Sequence, residues 1–171
     1  LPQRWVASGA GGAVTGSAHR GEWFAFQVAV YASKQPLDSV TASFSDFAPS
    51  RPRALPPATC VNLDGVDWRG RPFTRRISVP KGQVYPLWCG VQVPIDAKPG
   101  RYTGTTTVTA AVGSSAVGSS AVGSSAVSIP LSITILPDSI AAHGDNDPAL
   151  LSRVRWLNST LYPDDGLVPP Y

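Results

Sequence analysis

Residues 22–31 read Glu-Trp-Phe-Ala-Phe-Gln-Val-Ala-Val-Tyr, and this stretch decides the fold. Phe24, Phe26, Val28 and Val30 recur at every second position, the period that puts side chains on one face of a β-strand. Trp23 and Tyr31 fall on the opposite face, so that face is not fully wetted. On the C-terminal side, Gln35-Pro36 marks a turn. Ser39 to Phe44 then gives a second strand, with Val40, Ala42 and Phe44 on one side. The short turn predicts that these two strands pair antiparallel.

The same alternation recurs along the chain. After a proline-rich crossing at residues 48–58, Cys60-Val61-Asn62-Leu63 reads as a short strand, followed by Asp64-Gly65 and the polar stretch Asp67–Arg71. Residues 76–79 and 83–93 are two more strands joined by a Lys81-Gly82 turn. In the second, Leu87, Cys89, Val91 and Val93 alternate with Trp88, Gly90 and Gln92. A Pro-Gly turn closes the loop at 94–100. Tyr102–Ala111 is rich in β-branched threonine, and Ile129, Leu131, Ile133 and Ile135 alternate in a return arm in which Pro130 indicates an edge or a strand start. The two arms form a hairpin whose connection, at about 111–127, repeats Ala-Val-Gly-Ser-Ser. Five residues are too few for a solenoid unit, and the Gly-Ser content predicts a flexible low-complexity tip.

The pattern changes after Pro137. Asp147-Pro148 supplies an N-cap followed by proline at the first helical position, and Leu150, Leu151, Val154 and Leu157 recur at helical spacing. The expected architecture is all-β: an antiparallel two-sheet β-sandwich of about seven or eight strands. It occupies residues 1–137, and residues 138–171 form a linker, a short C-terminal helix and an extended tail leading to a following domain.

Composition supports this class. Seventeen prolines and sixteen glycines in 171 residues suit a chain of many turns, and 43% hydrophobic with 15% charged residues is a globular balance. The net charge of +3 is spread over loose pairs such as Arg51 and Arg53 or Arg75 and Arg76. A nucleic-acid footprint needs a denser stripe, so no nucleic acid is expected as partner. No stretch reaches the length of a membrane helix. No methionine occurs, even at position 1, which predicts a processed product or an internal piece of a longer one.

Candidate chemistry is sparse. Glu22 is the only glutamate and most of the ten aspartates sit beside turn residues, so no spacing singles out the opposed acid pair that glycoside hydrolysis requires. Glu22, beside Arg20 at a strand start, reads as a local ion pair or backbone contact. No Gly-x-Ser-x-Gly elbow or phosphate loop occurs, and His19 and His143 are far apart in sequence. No catalytic residue, cofactor or metal is therefore expected. Cys60 and Cys89 either form a disulfide, closing a loop of about thirty residues and stabilising by roughly 3–4 kcal/mol, or remain two buried thiols on neighbouring strands. Trp68, flanked by Asp67, Arg69 and Arg71, either stacks on a sugar ring while its neighbours bond the hydroxyls, or plugs the end of the sandwich. Asn158-Ser159-Thr160 is an N-glycosylation acceptor, compatible with a secreted or extracellular protein.

Seven segments together resemble a known family. Arg20-Gly21-Glu22 running into Phe26–Val30, Leu87-Trp88, Val91–Pro94, Ala97–Gly100 and Tyr102-Thr103-Gly104 look like the N-terminal β-sandwich of proteins similar to glycoside hydrolase family 123. Thr59–Asp67 and Ser152–Thr160 narrow the likeness to one branch, over about Arg20 to Tyr171. In that family an aspartate–glutamate pair on a following (β/α) barrel acts on N-acetylhexosamine glycosides with help from the substrate's acetamido group. The resemblance therefore implies an accessory, non-catalytic domain whose partner is a neighbouring domain of the same parent protein. Two other readings stand beside it: a structural or assembly subunit of an extracellular surface, and a carbohydrate-binding module centred on Trp68 with glycans as partners. The Ala-Val-Gly-Ser-Ser repeat departs from the family's short hairpin.

Overall fold

Apolar residues at every second position need a second apolar surface to cover them, and here each sheet covers the other. The computed structural model describes residues 4–7, 9, 11–47, 55–67, 69–112 and 123–141. Within them, a helical turn α1 (Arg4–Ala7) precedes β1 (Val14–Arg20), β2 (Trp23–Tyr31), β3 (Leu37–Phe44), β4 (Thr59–Cys60) and β5 (Asp64–Val66). Then follow β6 (Pro72–Thr74), β7 (Ile77–Val79), β8 (Val84–Gln92), β9 (Gly100–Val112) and β10 (Gly123–Ser139). One sheet has the order β1-β10-β9-β3-β7, the facing sheet β2-β8-β4, and β5 with β6 makes a separate ribbon. The helix expected at 148–157 and the tail beyond it lie outside the described residues.

The inner faces are those the alternation marks. Phe26, Val28 and Val30 of β2 and Leu87, Cys89 and Val91 of β8 meet Val108 of β9 and Leu131, Ile133 and Ile135 of β10 in one buried cluster. Leu87, Cys89 and Val91 have no measurable exposure, which makes β8 the centre of the core. Burial of each such aliphatic side chain contributes roughly 1.5–3 kcal/mol.

Two expectations about pairing need correction. The strands at 22–31 and 39–44 are not neighbours: β2 pairs with β8, and β3 pairs with β7 and β9 in the opposite sheet. Alternation fixes the face a strand buries but not its partner, and the β2–β3 connection crosses between sheets rather than turning within one. Likewise the ladders are antiparallel except for β1, which lies parallel to β10 with Val14 opposite Leu131. The 102–111 and 129–135 arms do form the expected hairpin, but its ladder continues into both ends of the repeat, to Val112 and Gly123. Pro130 sits one residue before the β1 pairing starts, where that side of β10 is an edge.

Close approach and turning account for two glycines and one serine. Ser39, at φ 49°, is the extra residue of a β-bulge that shifts the register of β3 against both its neighbours. Gly21, at φ 85°, makes the β1–β2 corner, where any Cβ would also meet the Ile140 carbonyl at 2.9 Å. Gly90 faces outward from β8, and a Cβ there would fall 2.5 Å from the Trp23 ring. Trp23 thus lies flat across the outer side of the smaller sheet and is itself buried.

This packing predicts a double-mutant result. Gly90→Ala should destabilise by about 1–3 kcal/mol in urea unfolding. In a Trp23→Ala background most of that cost should disappear, because the methyl group then has room.

Candidate functional site

Three places could carry chemistry: the ribbon loop bearing Trp68, the cysteine pair, and the recesses of the sandwich. The ribbon loop is organised by one carboxylate. Asp67 Oδ1 accepts from the backbone N–H groups of Arg69 and Arg71, each at 2.9 Å, and Oδ2 accepts from Arg71 Nε at 3.0 Å and Nη2 at 2.9 Å. The Asp67 N–H also donates to the Arg71 carbonyl at 2.8 Å, and Gly70 takes the left-handed conformation the turn needs, at φ 74°. Hydrogen bonds from the Arg71 backbone foremost, then from its guanidinium and the Arg69 N–H, hold the Asp67 carboxyl below its ordinary 3.8. Of the proposed glycan contacts, Arg71 is thus committed to Asp67, and Trp68 lies outside the described residues.

The cysteines face each other across the ladder. Cys60 of β4 is directly opposite Cys89 of β8, both are buried, and both are free thiols. The next position along is a hydrogen-bonded one, since Val61 N donates to the Trp88 carbonyl at 2.9 Å. Cys60 and Cys89 therefore occupy a non-hydrogen-bonded site, where opposed side chains come closest. Beyond it the Asn62 side chain takes over the strand's role, donating to the Pro86 carbonyl at 2.8 Å and accepting from Trp88 N at 2.9 Å. It also accepts from Cys60 Sγ at 3.3 Å. Hydrogen bonding between the thiols is the main cause that lowers the Cys60 pKa, against the opposing effect of burial, and it raises that of Cys89, where burial adds to it.

A cavity of about 380 Å³ lies between β2 and the β9–β10 hairpin, walled by Val28, Val30, Val108, Ala110 and Ile129 with Lys34 and Gln35 beside them. Among the described residues no carboxylate lines it. Glu22 is occupied elsewhere, its Oε2 accepting from His19 N at 2.7 Å, the second of the two local contacts expected of it. Among the described residues no cluster of three or more His, Cys, Asp or Glu could hold a metal ion, and no helix is long and apolar enough to cross a membrane. Asn158 lies outside the described residues.

The β1–β2 corner was marked in sequence only by Arg20-Gly21-Glu22, and the buried polar atoms beside it were not foreseen. His19 Nδ1, Arg20 Nε and Trp23 Nε1 are buried there without hydrogen-bond partners; among the described residues only Thr106 Oγ1 shares that condition. Each such atom costs roughly 1–3 kcal/mol. Strand β10 ends at the same corner, where Ile140 N donates to the Arg20 carbonyl at 3.0 Å. The residues are near neighbours in sequence, but their burial depends on the strands around them, so no local motif announces it.

Neither a family model nor a curated protein matches the chain. Among solved structures it is similar to a family 123 glycoside hydrolase from Clostridium perfringens, from a study of glycolipid glycan hydrolysis. The TM-score is 0.56 at 16% identity, over 81% of this chain and 25% of that one. The likeness is one of fold, and the matched part amounts to a quarter of that protein's length.

The Asp67 loop makes a prediction. Its carboxylate pKa is depressed, so its contribution is complete above the ordinary carboxylate value and lost as pH falls through the lowered one. The Arg69 and Arg71 amide resonances should titrate together with a midpoint below 3.8. Asp67→Ala should speed tryptic cleavage after these arginines several-fold at neutral pH.

Proposed function

We propose that this chain is the accessory, non-catalytic β-sandwich of a larger, secreted glycoside-hydrolase-like protein, the counterpart of an N-terminal domain in family 123. In this reading residues 1–137 form the accessory domain and 138–171 lead into a neighbouring catalytic-type domain. The observation that carries it is the asymmetry of the structural match: most of this chain corresponds to a quarter of a much longer hydrolase.

The β1–β2 corner is where the neighbour would dock. Strand β10 ends here, with Ile140 N donating to the Arg20 carbonyl at 3.0 Å, so residues 138–171 start from this corner. The outer side of the three-stranded sheet continues this surface. It carries Trp23, Ala25 and Trp88, whereas the outer side of the larger sheet is clad in exposed hydroxyl pairs such as Thr41 with Thr109 and Thr107 with Ser128. A hydroxyl-covered face suits water; an aromatic one suits another domain.

The gene product read through Tyr171 provides the test. Limited proteolysis of it should give two fragments that remain associated, and Arg20→Glu should weaken that association at least tenfold. A stop codon directly after Tyr171, or hydrolysis of an N-acetylhexosaminide by residues 1–171 alone, would overturn the proposal.

A further inference from the structure

We propose that Cys60 and Cys89 are the two halves of a cross-strand disulfide that pins the edge strand β4 to the centre of the smaller sheet. Three features of the structure carry this. The residues are in register at a non-hydrogen-bonded antiparallel site, where Cα atoms approach to about 4.5 Å, inside the range that disulfides span. Both side chains point to the same inner face, with Cys60 only 3% and Cys89 0% exposed. And β4 is two residues long, its backbone ladder giving way to the Asn62 side chain immediately afterwards. So short an edge strand has little backbone pairing of its own, and a covalent tie to β8 would hold it most effectively. Two unrelated buried thiols would need only apolar surroundings, not opposite positions in one ladder.

The bond forms by exchange with a small-molecule disulfide such as oxidised glutathione. Cys60, as thiolate, attacks one glutathione sulfur, joins to it and expels the first glutathione thiolate. Cys89 then loses its proton and attacks the Cys60 sulfur, expelling the second. Two protein thiols are oxidised to one disulfide, the glutathione disulfide is reduced to two thiols, and the two protons end on them. Since both sulfurs are buried in the closed sandwich, exchange takes place while β4 is still detached, and the finished bond is sheltered from reductants. The proposal is independent of any neighbouring domain.

The test uses the whole chain, unfolded and reduced, then refolded in a buffer of oxidised and reduced glutathione. In denaturant no thiol should then react with Ellman's reagent, and peptide mapping should recover a Cys60–Cys89 linked peptide from the monomer. The melting temperature should exceed that of the protein refolded with reduced glutathione alone by roughly 5–15 °C. The double variant Cys60→Ser, Cys89→Ser should melt at the same temperature in both buffers. Two reactive thiols after refolding, links formed only between chains, or an equal shift in the double variant would each overturn the proposal.

Discussion

The structure depends on one exclusion of water. Leu87, Cys89 and Val91 of β8 lie in one buried cluster with Leu131, Ile133 and Ile135 of β10, and each sheet supplies the apolar surface that covers the other. A three-stranded sheet with one strand of two residues would not persist in water without the larger sheet against it. The chain reinforces this dependence by its route. It passes from β1 in one sheet to β2 in the other, back to β3, over to β4, and back again to β7 before β8. Few strands can complete their pairing until both sheets are in place, so the core and the topology form together.

How much of this was legible depended on whether a residue's role is local. The faces of β2, β8, β9 and β10 were readable because alternation is a property of one strand. The pairing of β2 was not, because its partner β8 lies more than fifty positions away and the intervening turn gave a misleading local cue. Strand β1 was missed for a different reason. Its inward position Gly16 has no side chain, since the Phe24 ring occupies the space a Cβ would take, and the alternation signal vanishes where the contact is tightest. The β5–β6 ribbon was unreadable as strand because Asp67 and Arg71 hold it by polar bonds rather than burial.

The candidate site divides along the same line. Glu22 was read as a local ion pair or backbone contact, and the structure shows the backbone one, to His19 three residues away. Arg71 was a possible sugar contact on one of two readings of the Trp68 loop, and the folded loop pairs its guanidinium with Asp67. The cysteines were an open question on sequence, since register between β4 and β8 is what brings them opposite each other. The unpartnered polar atoms at the β1–β2 corner could not have been found without coordinates. Their interest lies in unmet hydrogen-bonding capacity, a property of surroundings and not of residue type. The accessory-domain reading rests on a fold likeness to one quarter of a longer chain.

Native-state hydrogen exchange tests the account most directly, by asking whether the two sheets share a single core. Backbone amides of residues 87–91 in β8 and of 131–135 in β10 should exchange only through complete unfolding. Their opening free energies should then agree with each other and with the value from urea denaturation. If the smaller sheet opened at a distinctly lower free energy while the larger stayed protected, the claim that one sealed interior holds both layers would be contradicted.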